Sequence, residues 1–174
     1  QAPFDVVRSV HGVHVHPLNH PTYLRETVIP NLNEGATKAG RSAEDLEIIV
    51  PAFIVPIDDD EAPSRNFARM PVAFYGSTPN SAFIFEQLGF DGTTDRIRER
   101  QRSRDLAGMA AEVSDELLDH FVVTGPRSEL ADKILERYQG LATRVVSYFG
   151  GLDWTNDPSA LNAWADVARG VTNP

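Results

Sequence analysis

The chain has 174 residues, 41% of them hydrophobic, with a formal net charge of -9 and no cysteine. That length can bury a real core but falls short of the roughly 250 residues of a complete (β/α)8 barrel. The acidic balance argues against nucleic-acid or anionic-membrane partners, absent cysteine removes disulfides, thiolates and sulfur-ligated metals, and no apolar run reaches the roughly 20 residues of a spanning helix. The expectation is a soluble, cytoplasmic protein.

The first strand is predicted over about Val10 to Leu18. Within "VHVHPLNH", Val13 and Val15 alternate with His14 and His16, so a period of two puts valines on one face and imidazoles on the other. Asn19 or His20 can cap the helix that follows, with Pro21 in its first turn. Leu24, Val28, Leu32 and Ala36 recur at helical spacing, Pro30 should kink the helix and Gly40 should stop it. Ser42 and Asp45 mark a brief capped turn.

Leu46 to Val55 is nearly continuously apolar, the pattern of a strand covered on both faces in a parallel sheet, and Pro51 predicts a bulge or interruption. The acidic run Asp58, Asp59, Asp60, Glu61 reads as a solvated helix start. From about Asp59 to Asp119 the pattern is largely helical, with breaks expected at Pro71, "YGSTPN" and "GFDGTT", a helical insertion too long for a simple crossover. Arg96, Arg98, Arg100, Arg102 and Arg104 spread around one helix and predict ion pairs with neighbouring acids. "TGPRSELADKILERYQG" is a capped amphipathic helix, "TRVVSYFGG" a strand, and Ser159 to Arg169 a last amphipathic helix. Three strands separated by helices make an α/β chain, read as a single domain or fragment over residues 1–174.

His14 and His16 admit three roles. An H-x-H pair at a strand's C-terminal end can hold a divalent cation in a metal-dependent barrel hydrolase, but that chemistry needs three or four ligands, and beyond His20 the sequence offers only His120, so no metal site is assigned. Alternatively His14, His16 and Asn19 face the mouth of a barrel and contact a cofactor or substrate. The third role is purely structural, as hydrogen-bonded polar side chains. Tyr75, Ser77 and Thr78 could donate to a ligand or satisfy turns of their own segment.

"ARMPVAFYGSTPNSAFIFEQLGF", with the run Ala73 to Pro79 at its centre, resembles the luciferase-like monooxygenase superfamily, specifically its deazaflavin (coenzyme F420)-dependent oxidoreductases. "GVHVHPLNHPTYLRETVIPNLNEGATKAGR", "AAEVSDELLDHFVVTG" and "GPRSELADKILERYQGLATRVVSYF" agree with it in order and spacing. The resemblance implies a partial TIM barrel, strands six to eight with the insertion after strand seven. It also implies that the chain is a C-terminal fragment or truncated member of an enzyme that, when intact, transfers hydride between F420, or alternatively FMN, and a small-molecule substrate. The family's phosphate loop lies in the early strands, so cofactor binding by this chain alone is expected to be weak or absent. Where relatives carry an aromatic and a basic residue after "STP", this chain has Asn80, Ser81 and Ala82. Two other classes are carried alongside: a non-catalytic half-barrel subunit that self-associates or joins a missing N-terminal half, and the metal-dependent hydrolase.

Overall fold

The computed structural model describes residues 10–57, 61–148, 155 and 157–172. The strands are β1 (Gly12–His14), β2 (Glu47–Pro56), β3 (Val122–Gly125) and β4 (Arg144–Ser147), all parallel. Between β1 and β2 lie α1 (Pro21–Tyr23), a π-helical turn (Leu24–Val28) and α2 (Ile29–Lys38). The insertion between β2 and β3 holds α3 (Glu61–Gly76), α4 (Ala82–Glu86), α5 (Thr93–Arg102), α6 (Leu106–Ala111) and α7 (Asp115–Phe121); α8 (Arg127–Tyr138) and α9 (Ala160–Thr172) follow.

β2 organises the sheet. Glu47 donates its N–H to His11 O and Ile49 O accepts from Val15 N, while further along Ile57 donates to Gly125 O, each at 2.9 Å. Backbone groups of alternate residues point to opposite edges of a strand, so β1 and β3 share one edge of β2, end to end. The other edge belongs to β4: Ile48 O accepts from Thr143 N at 3.0 Å and Ala52 O from Tyr148 N at 2.9 Å. Pro51 falls in the gap between β1 and β3, where no strand needs the donor it lacks. The expected bulge is thus an interruption of one edge only; β2 runs on unbroken, and Pro51 stays in register with Val146 of β4.

Both faces of β2 are covered. Val50, Ala52 and Ile54 pack with Val15, Leu24, Leu130, Ile134 and Tyr138 of the helical side and with Trp164 and Val167 of α9. Phe53 and Val55 point the other way, into a core built by the insertion from Val72, Phe85, Ile97, Met109 and Phe121. Removing a side chain such as Phe53 from water contributes roughly 1.5–3 kcal/mol. Two-sided burial is why β2 reads as a continuous apolar run.

Pro71 behaves differently from expectation. Pro71 does not interrupt α3, which continues from Glu61 to Gly76 because Ala68, Val72 and Ala73 are fully buried along its packed face. Pro30 produces a π turn just ahead of it: Ile29 N–H reaches back five residues to Leu24 O, a wider turn that absorbs the strain without a break. The short apolar stretch after His120 is a fourth strand, β3, which the expected three-strand scheme lacked. Gly40 and Gly140 stop their helices with φ of 68° and 75°. Asp58, Asp59 and Asp60 lie outside the described residues.

The insertion is bound internally by ion pairs. Arg96 and Arg100 converge on Glu112 at 3.2 and 3.1 Å, Arg100 also meets Asp105, and Arg102 pairs with Glu99, as the charge pattern predicted. Arg65 and Arg69 of α3 both grip Asp115 at the start of α7, at 3.0 and 2.6 Å. The Arg65 hydrogen bond leads the interactions that hold the Asp115 carboxyl below its ordinary value.

Asn19 joins the end of β1 to β2. It is 1% exposed, and its amide donates to the carbonyls of His16, Pro17 and Pro51 at 3.0, 3.1 and 3.0 Å. Asn19→Ala leaves buried carbonyls without that donor, so chemical denaturation should show a loss of about 1–3 kcal/mol. An unchanged midpoint would contradict the junction.

His20 caps α1, its Nδ1 accepting from Tyr23 N at 3.2 Å, with its ring edge-on to Phe121 at 5.7 Å. It is 1% exposed, and burial lowers its pKa from 6.5 to about 4. The unfolded chain therefore takes up this proton near 6.5 and the folded chain only near 4. His20's contribution is whole above the unfolded value and is lost as pH falls through this window, by up to roughly 1.4 kcal/mol per pH unit. His20→Asn supplies a capping oxygen in place of Nδ1 without the titration, so its stability should depend less steeply on pH between 6.5 and 5 than the wild type's. Equal slopes would contradict the assignment.

Candidate functional site

Parallel strands present all their C-terminal ends to one side, and in sheets of this kind ligands gather there. Here that side receives the ends of β1 and β4 and the C-terminal turn of α3. The first carries His14 and His16, the second Tyr148, and the third Tyr75, Ser77 and Thr78.

Alternation along β1 works as expected. Val15 is buried in the core with α8 and α9, while His14 and His16 are exposed. His14 pairs with Ile49 in register, on the side of the sheet that Phe53 faces farther along β2. His16 Nδ1 accepts from Leu18 N at 3.2 Å, so in the neutral ring the proton sits on Nε2. The His16 ring stands edge-on to Tyr75, centroids 5.1 Å apart and planes at 89°.

Phe53 supports the centre of the group. Fully buried in β2, it stacks on Tyr75 at 6.1 Å with planes 26° apart and meets Tyr148 edge-on at 5.4 Å. One buried ring thereby orients two tyrosines from distant segments, and their hydroxyls hydrogen-bond to each other. That bond, then burial, pushes the Tyr75 hydroxyl up to about 12.

The structure therefore brings His16 and Tyr75 into contact and leaves His14 exposed on the same sheet face. It places Asn19 elsewhere: buried beneath the loop, with its amide bound to three carbonyls. Ser77 donates to Phe74 O at 2.7 Å and accepts from Gln101 Nε2 at 3.4 Å. Thr78 is exposed and its carbonyl accepts from Ser81 N at 2.8 Å, closing the turn after α3. Sequence reasoning missed Tyr148. Its signal was a large aromatic residue at the end of a predicted strand, but only the fold shows that it meets Tyr75. Among the described residues no three His, Asp or Glu side chains are placed to hold a metal ion.

Comparison with known proteins gives the chain its family. The family model for luciferase-like monooxygenase matches residues 6–144. An uncharacterised protein of Mycobacterium tuberculosis is 29% identical over 136 residues, 77% of this chain and 40% of the relative. The 5,10-methylenetetrahydromethanopterin reductase of Archaeoglobus fulgidus is 30% identical over 129 residues, 70% of this chain and 38% of that protein. The solved structure of the coenzyme F420-dependent tetrahydromethanopterin reductase from Methanopyrus kandleri superposes with a TM-score of 0.68 at 25% identity, covering 82% of this chain and 40% of that one. The chain spans about 40% of the length of these relatives.

These matches correct two expectations. The family match extends over most of the chain, and the structural match over 82% of it with its helices and strands in place, so the description as only a C-terminal fragment or truncated member is withdrawn. The metal-dependent hydrolase falls as well, since the family matched is that of luciferase-like monooxygenases. The fold shown is α/β with a parallel sheet, and no closed barrel forms among the described residues. No helix among them is long and apolar enough to cross a membrane. With the family model covering residues 6–144, the chain belongs to the luciferase-like monooxygenase family.

Proposed function

We propose that the chain serves a deazaflavin-dependent oxidoreductase acting on a small organic molecule in the cytoplasm, with its sheet arranged as part of a (β/α)8-type barrel. The observation that carries the reading is the convergence of His16 and Tyr75 at the C-terminal end of the parallel sheet. Similarity to a 5,10-methylenetetrahydromethanopterin reductase and to a tetrahydromethanopterin reductase described as coenzyme F420-dependent supports the choice of cofactor.

The residues present fit the ring of such a cofactor. A planar conjugated ring needs an apolar surface beside a few polar donors. Ile49 and Val146 lie on the sheet face that carries His14, Val146 is 39% exposed, and His16 and Tyr75 border its C-terminal end. A bound deazaflavin would supply or accept the hydride. The chain's own part is to hold the ring against that face, to present a proton at His16 Nε2, and to offer the hydroxyls of Tyr75 and Thr78 as donors. Ser77 lies on the approach from α3.

Fluorescence titration tests this. Coenzyme F420 should be quenched saturably by the protein and FMN should not. Removing one hydrogen bond costs about 1 kcal/mol, or roughly fivefold in affinity, so His14→Ala and His16→Ala should each weaken F420 binding by about that factor. Preferential binding of FMN, or no saturable response to either, would overturn the proposal.

A further inference from the structure

Tyr148 belongs to an aromatic group that the sequence did not bring together, and its position is informative. Phe53 comes from β2, Tyr75 from the last turn of α3 and Tyr148 from the residue after β4. Three segments separated by long stretches of chain thus fix two hydroxyls against each other. A contact needed only to tie the insertion to the sheet could be apolar, as the Phe53 contacts already are.

We infer that the Tyr75 hydroxyl is the donor of a site for an electron-rich oxygen on a conjugated ring, a phenolate or ring carbonyl, and that Tyr148 is its positioning residue. The inference rests on the oxidoreductase reading for the identity of the ring, and on the geometry of this chain for the site. When Tyr148 donates to the Tyr75 oxygen, the Tyr75 hydrogen remains for an acceptor outside the pair. The accepted bond also polarises the Tyr75 O–H and makes it a stronger donor. A tyrosine hydroxyl, which ordinarily titrates at about 10, stays protonated near neutral pH. A neutral donor is suited to an anionic or partly anionic oxygen, which a tyrosinate would repel. His16 stands edge-on to Tyr75 and Tyr148 is 42% exposed, so among the described residues the pair is approached past ring edges. That lining favours a flat conjugated ligand.

The test uses 4-nitrophenolate, whose absorption band moves when its oxygen accepts a hydrogen bond, with coenzyme F420 as a second probe. The full chain should bind nitrophenolate saturably. Tyr75→Phe should weaken binding at least tenfold and Tyr148→Phe about fivefold, with circular dichroism unchanged, while Tyr23→Phe on α1 should bind as the wild type does. The absorption band of 4-nitrophenolate bound to Tyr148→Phe should also differ from that on the wild type, because Tyr75 without the Tyr148 bond is the weaker donor. A merely structural contact predicts altered melting without loss of probe affinity. Nitrophenolate binding that ignores both substitutions, or no binding at all, overturns the inference. If F420 binds but is indifferent to Tyr75→Phe and nitrophenolate does not bind, the site assignment fails and the oxidoreductase reading stands. If nitrophenolate binding depends on Tyr75 while F420 does not bind, the site stands and the cofactor reading fails.

Discussion

The structure depends on one strand being satisfied on four sides. β2 must find hydrogen-bond partners on both edges and apolar cover on both faces, since a buried backbone group without a partner costs as much as a lost hydrogen bond. β4 supplies one edge, while β1 and β3 divide the other between them. Pro51 is tolerated because it sits at that division, and Asn19 takes its carbonyl there. The two cores then follow from alternation: Val50, Ala52 and Ile54 face α8 and α9, while Phe53 and Val55 face the insertion.

The site is a consequence of the same arrangement. Phe53 belongs to the core of the insertion and also orients Tyr75 and Tyr148. Packing of the helical insertion and placement of polar groups at the sheet's end are therefore one event. Gly76 shows how closely α3 approaches α4: a Cβ there would come within 2.4 Å of the Phe85 ring, so the last turn of α3, which carries Tyr75, packs directly on that ring. A substitution that loosens α3 should be felt at the hydroxyl pair before it is felt at the helical side of the sheet.

Much of this was legible in the sequence, for identifiable reasons. The apolar run Leu46 to Val55 could only be a strand covered twice, and the valine and histidine alternation assigned faces correctly because the period of a strand is fixed. Caps and stops at His20, Gly40 and Gly140 were local and so readable. What escaped was set by tertiary contact. The four-residue strand β3 is too short to announce itself, Pro71 stays helical because its neighbours are buried, and Asn19 reads as a site residue until its carbonyl partners are seen. Tyr148 and Tyr75 are 73 residues apart, and nothing local couples them.

Native-state amide hydrogen exchange tests the central role of β2 most directly. The account predicts that the amides of Val50, Ala52, Phe53, Ile54 and Val55 exchange only through global unfolding, more slowly than those of any helix in the insertion. Exchange of these amides at rates equal to or faster than those of α5 and α6 would show that the sheet is not held from both sides, and would contradict the account.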